Sequence, residues 1–93
     1  MLAQHTPEQL RVARQGLERL TVRESEVLLA LVRGETAGAS AERLGISRRT
    51  VELHRQSILH KANVRNTVEL VGMIAQIELE DADPKPENET GRA

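Results

Sequence analysis

The chain contains no cysteine, phenylalanine, tyrosine or tryptophan. Without cysteine there is no disulfide, no thiolate nucleophile and no cysteine-based zinc finger, and a reducing compartment fits the composition. Without aromatic rings there is nothing on which to stack unpaired bases, which argues against single-stranded nucleic acid and against RNA read on a sheet. No stretch approaches the roughly 18 consecutive apolar residues of a membrane-spanning helix, and no basic region followed by a hydrophobic run opens the N-terminus. The expectation is a soluble, intracellular protein with no membrane partner. At 93 residues the chain has room for one small domain with short appendages, not for a large enclosed catalytic cleft. There is no glycine-rich phosphate loop, and His5, His54 and His60 share no metal-ligand spacing on one helical face. The chain therefore reads as neither an enzyme nor a holder of a metal or cofactor.

What is present is charge, unevenly spread. The formal net charge is -1. Residues 33–65 carry seven basic side chains (Arg33, Arg43, Arg48, Arg49, Arg55, Lys61, Arg65) against three acidic ones (Glu35, Glu42, Glu52), for a local +4. From residue 66 onward seven acidic residues face only Lys85 and Arg92, for -5. Such asymmetry points to an anion-binding middle and an acidic tail.

Helix signals punctuate the chain. Thr6-Pro7-Glu8-Gln9 is a start, with Thr as N-cap, Pro where its missing N–H costs nothing, and Gln three residues after the cap. Leu10, Ala13, Leu17 and Leu20 follow as one narrow apolar stripe, which needs something to lean on. Thr21-Val22-Arg23-Glu24 is a capping box, and Val27, Leu28, Leu31 and Val32 continue at helical spacing to a stop at Gly34, predicting a helix over about 22–33. Residues 37–44 read as a short helix of small residues, weakened by Gly38 by about 1 kcal/mol relative to Ala. Gly45 supplies a turn, Ile46 an apolar anchor and Ser47 a cap for a helix from Arg48 to about Ala62. Two short helices joined in this way form a helix-turn-helix. Asn66-Thr67-Val68-Glu69 starts a last helix with two apolar stripes, one of Leu70, Met73, Ile74 and Ile77, the other of Val68, Val71, Ala75 and Leu79. One stripe can cover the core, and the other is left over. Beyond Glu80 the charged, proline-containing residues 81–93 have no apolar face and are expected to be a disordered acidic tail.

The helix over 48–62 has two distinct faces. Val51, Ile58 and Ala62 mark a buried side, while Arg49, Glu52, Leu53, Gln56 and His60 share the opposite one. The second set suits a major groove: Arg pairs with guanine, Gln with adenine, Glu accepts from cytosine, and an exposed Leu meets a thymine methyl. Arg48, Arg55 and Lys61 flank that face, where phosphate contacts are expected. A plainer role exists for several of these. Glu52 could serve as a surface ion-pair hub for Arg48, Arg49 and Arg55, and His54, beside the buried side, reads as a packed histidine.

Leu20-Thr21, Arg23-Glu24, Glu26-Val27-Leu28, Gly34, Leu44-Gly45-Ile46-Ser47, Thr50-Val51-Glu52, His54-Arg55, Ile58, Lys61, Val64, Asn66 and Glu69-Leu70-Val71 together resemble the LuxR/FixJ-type (GerE-like) helix-turn-helix domain of bacterial transcription regulators. The resemblance covers about residues 20–77. It implies an all-α, four-helix DNA-binding domain (20–80), preceded by a linker-like helix within 1–19, which acts on promoter DNA in the bacterial cytoplasm as part of a response regulator or alone. The base readers would be Glu52, Leu53 and Gln56, with Arg48 or Arg49 at the groove edge, and Thr50, Arg55 and Lys61 would lie by the phosphates. The implied partners are an inverted-repeat duplex, a second copy held through the last helix by Val68, Val71, Ala75 and Leu79, and RNA polymerase.

Two departures stand out. Ala37-Gly38-Ala39-Ser40 replaces a run that usually supplies a phosphate-binding lysine and a core isoleucine, so this helix is expected to be looser. Ala62 follows Lys61 where a large apolar residue is usual, which is expected to thin the core. A competing reading is a protein-interaction module that pairs with a related regulator through the last helix and blocks it. Substituting Arg49 and Gln56 separates the two, since a DNA reader fails and an antagonist keeps working.

Overall fold

A computed structural model describes residues 4–82. Among these it is all-helical: α1 (Pro7–Leu17), α2 (Val22–Val32), α3 (Ala37–Leu44), α4 (Arg48–Ala62) and α5 (Thr67–Ala82). The starts are set by side chains that satisfy the first free N–H groups of each helix. Thr6 and Thr21 each close a full capping box, with Gln9 and Glu24 returning the bond to the cap. Thr36 caps α3, Ser47 caps α4, and Asn66 accepts from the Glu69 N–H at 2.8 Å to start α5.

α4 lies at the centre. Its Val51, Ile58 and Ala62 are buried against side chains from α1, α2, α3 and α5, with Leu10, Val27, Ala41, Leu70 and Met73 completing the core. The absence of aromatic side chains is met by close approach of small residues. On α1, Gly16 rests against the Lys61 and Ala62 backbone, where an added Cβ would overlap the Lys61 carbonyl oxygen. Ala62 is buried, as are Leu10 and Ala13 of α1. α1 therefore shares the core of the other four helices, and Arg14 ties it to α5 by two hydrogen bonds of 2.9 Å to the Asp81 carboxylate.

α5 runs two residues past the boundary expected at Glu80. Asp81, assigned from the sequence to a disordered tail, is helical and held by Arg14, because a carboxylate facing a guanidinium gives the last turn a partner. The remainder of that expected tail, 83–93, lies outside the described residues. No described helix is long and apolar enough to cross a membrane.

Candidate nucleic-acid interface

The turn between α3 and α4 sets the angle at which α4 meets its surroundings. Gly45 adopts φ 72°, ψ 30°, a left-handed conformation that costs a residue without a Cβ little. The Ile46 N–H then bonds back to the Ala41 carbonyl at 3.1 Å, and Ile46 packs against the core. At the start of α4, Ser47 accepts from the Thr50 N–H at 3.0 Å and its hydroxyl lies 2.8 Å from that of Thr50. No acidic residue occupies the first turn of α4, so its exposed N-terminus offers free N–H groups and a positive dipole end to an anion.

The outward face of α4 is where periodicity placed it. Arg49, Glu52, Gln56 and His60 are exposed, and Leu53 is half exposed at 51%. Arg48 and Arg49 stand free of every described carboxylate, and Glu52 forms no ion pair with them or with Arg55, so the surface hub is not built. This is a row of unengaged donors, acceptors and one apolar contact on a rigid support. His54 is half-buried, as expected of a packed residue.

Two side chains expected at the phosphates are turned inward instead. The Lys61 ammonium bonds Glu24 Oε1 at 2.7 Å and the Arg19 carbonyl at 3.2 Å. The reason is Glu24, which the α2 capping box buries on the core side at 6% exposure and which therefore needs a counter-charge. Ser57 donates to its other oxygen at 2.6 Å, and the Thr21 N–H donates at 2.9 Å. The Lys61 bond, then the Ser57 bond, hold the Glu24 carboxyl down at about 2. Arg55 likewise reaches across to donate to the Glu35 carbonyl at 3.1 Å, pinning the turn between α2 and α3. In that turn Glu35 also accepts from Arg43 and from Ser40, and the Arg43 guanidinium, followed by Ser40, lowers its carboxyl below the usual range. Ser40 thus secures an α3 of small residues, which runs regularly from its Thr36 cap to Gly45. Of the expected phosphate set, Arg48 is free and exposed, and Thr50 is half-buried at the cap.

Sequence reasoning assigned Glu24 to capping alone and missed its pairing with Lys61 and Ser57. The signal was there: Glu24 precedes Val27 by three and Leu31 by seven, which puts it on the apolar face of α2.

On α5, Leu70, Met73 and Ile77 are buried with Ile74 packed beside them. Val68 (82%), Leu79 (71%), Val71 and Ala75 form an exposed stripe on the far side. Gln4 and His5 run along one edge of it. The His5 N–H donates to Gln76 Oε1, and Gln76 Nε2 donates back to the His5 carbonyl, both at 3.1 Å. The His5 ring lies 3.4 Å from the Glu69 carboxylate. Among the described residues no group of three histidine, aspartate or glutamate side chains is arranged to hold a metal.

Residues 18–74 match the family of bacterial regulatory proteins described as the luxR family, or GerE. Similar curated proteins include the uncharacterized response regulatory protein YgeK of Escherichia coli (strain K12), 44% identical over 52 residues, which are 56% of this chain and 35% of that one. The C4-dicarboxylate transport transcriptional regulatory protein DctR of Rhodobacter capsulatus is 44% identical over 50 residues, 54% of this chain and 25% of its own length. The probable transcriptional regulatory protein SgaR of Hyphomicrobium methylovorum is 43% identical over 61 residues, 66% of this chain and 29% of its own. The chain thus spans about a third or less of these relatives. No solved structure matches it. The family match extends over more than half of the chain and includes the whole helix-turn-helix, and the chain belongs to the luxR family of bacterial regulatory proteins.

Proposed function

We propose that this domain binds duplex DNA sequence-specifically as a bacterial transcription regulator of the cytoplasm, with α4 entering the major groove. The observation that carries the reading is the outward face of α4. Arg49, Glu52, Leu53 and Gln56 lie together, exposed and unengaged, on the one helix that every other helix holds in place. Rigid support of this kind is what lets a few side chains discriminate base edges, each well-placed pair being worth about 1–3 kcal/mol. Arg48, the exposed N-terminus of α4 and the Thr50 hydroxyl are the phosphate contacts in this reading. Arg55 and Lys61 act from behind, fixing α4 against the α2–α3 turn and against α2. The exposed α5 stripe supports a homodimer, and a two-fold pair of α4 helices reads an inverted repeat whose half-site centres lie about one helical turn apart. The similar proteins named as transcriptional regulatory proteins support a role in transcription, and in this reading the domain acts at promoters with RNA polymerase as a further partner.

The experiment is selection of bound duplexes from a random-sequence pool by the purified chain at moderate salt, followed by sequencing. Enrichment of a two-fold symmetric site, lost in Arg49→Ala and Gln56→Ala chains of unchanged helicity, is the expected result. A folded chain that enriches nothing, or whose site survives both substitutions, overturns the reading. An antagonist that works through α5 alone would be indifferent to both changes.

A further inference from the structure

Arg55 is a half-buried cation with little to offset its charge. Its Nη2 donates to the Glu35 carbonyl at 3.1 Å, but no ion pair among the described residues includes it. The Glu35 carboxylate, which could have answered it, is taken by Arg43 at 3.0 Å and Ser40 at 3.1 Å. Arg55 Nε is sealed from solvent and has no hydrogen-bond partner, the one such side-chain atom among the described residues. A partly buried charge left this short of partners calls for a counter-charge. Arg55 lines a groove of about 380 Å³ between the end of α2 and the start of α5. Leu31, Val68 and Val71 supply its apolar walls, with Gly34 and Glu35 on the α2 rim and Thr67 on the α5 rim. Thr67 and Val68 stand in the first turn of α5, where backbone N–H groups have no intrahelical acceptor, and the Asn66 cap serves the Glu69 N–H instead. The Ala30 and Leu31 carbonyls at the end of α2 are already occupied by the Glu35 and Gly34 N–H groups, at 3.0 and 2.9 Å.

We propose that this groove binds a small free monocarboxylic acid with a short branched aliphatic body. The carboxylate lies on the Arg55 guanidinium and the first turn of α5, and the methyl groups lie against Leu31, Val68 and Val71. A planar guanidinium matches a carboxylate with two parallel hydrogen bonds, and the positive end of the α5 dipole favours the same charge. The apolar walls account for the aliphatic body, which a bare inorganic anion lacks. The volume falls within the range of small-ligand sites. Arg55 is turned from the outward face of α4 toward the α2–α3 turn, so the phosphates of a duplex held on that face are not the anion. The site is therefore separate from the DNA reading of the preceding section and stands or falls without it.

The test is a titration of isocaproate into the full isotope-labelled chain, read by the backbone amide resonances, with acetate and isocaproamide as controls. Saturable shifts at Gly34, Glu35, Thr67 and Val68 are expected. Isocaproate should bind at least about tenfold more tightly than its amide, which loses the charge-assisted pair, and than acetate, which loses the apolar contact. Arg55→Met should abolish the preference for the acid. Because that change also frees the Glu35 carbonyl, Val71→Glu and Val71→Gln supply an independent comparison at a position 39% exposed. The glutamate places a carboxylate in the groove beside Arg55 and should weaken isocaproate at least about tenfold relative to the glutamine, at equal helicity. Equal binding of acid and amide, shifts confined to other parts of the chain, or equal binding by the two Val71 variants overturns the site. An acetylated tripeptide ending in leucine that binds more tightly than isocaproate assigns the groove to a chain terminus and overturns the free acid. Sedimentation run alongside separates occupancy from self-association, and shifts that track a change in mass rather than acid concentration also overturn the proposal.

Discussion

Removing the charge of Glu24 tests how this fold is held behind the outward face of α4. Glu24 is 6% exposed and touches Lys61, Ser57 and the Thr21 N–H. Its carboxyl is held at about 2 against an ordinary 4.5. At about 1.4 kcal/mol per unit, the folded environment favours the ionised form by roughly 3 kcal/mol. That is a large share of the roughly 5–14 kcal/mol expected for a chain of this length. Glu24→Gln keeps an oxygen for the Thr21 N–H but leaves the Lys61 ammonium partly buried without a counter-charge, so it should cost about 2–3 kcal/mol at neutral pH. Because the folded value is depressed, the stabilisation is complete above pH 4.5 and is lost as pH falls toward 2. About half of it should be gone by pH 3. The assay is urea unfolding followed by far-ultraviolet circular dichroism, since the chain has no aromatic residue to report by fluorescence. Lys61→Met and the double variant complete a cycle, in which the double change should cost at least about 1 kcal/mol less than the two single changes together. A Glu24→Gln loss below about 0.5 kcal/mol, or one that stays constant from pH 7 to pH 3, would refute the argument.

Other consequences follow from particular contacts. Two glycine-to-alanine changes should act in opposite directions: Gly16→Ala drives a methyl into the Lys61 carbonyl and should destabilise by roughly 2 kcal/mol, while Gly38→Ala, in open space within α3, should stabilise by about 0.5–1 kcal/mol. Equal effects in urea titrations would contradict the packing of α1 on α4. Ser47→Ala removes the cap of α4 and should cost about 1 kcal/mol while weakening DNA binding, and a neutral result in both assays would remove Ser47 from the turn's design. Arg48→Ala should lower affinity about equally for all duplexes and reduce the slope of log affinity against log salt by about one. A changed base preference in the selected site would mean instead that Arg48 reads sequence.

The sequence by itself determined the helices and where each begins. Capping boxes at Thr6 and Thr21, the serine cap at Ser47 and the left-handed Gly45 act within a few residues, so nothing distant can revise them. Periodicity likewise separated the core side of α4, Val51 and Ile58, from Arg49, Glu52, Leu53 and Gln56, because the angular position of a side chain on a helix is local geometry. What only the tertiary structure decided is the direction taken by long side chains. Arg55 and Lys61 flank the outward face by angle alone, yet one reaches back to the Glu35 carbonyl and the other to a buried Glu24 thirty-seven residues earlier in the chain. A long flexible cation goes where an unsatisfied acceptor lies, and the position of that acceptor is fixed by how α2 packs on α4. The same holds for Gly16 and Asp81. Neither shows in the sequence as more than a weak helix residue and a tail charge. Each acquires its role only when α1 is laid against the centre of the domain.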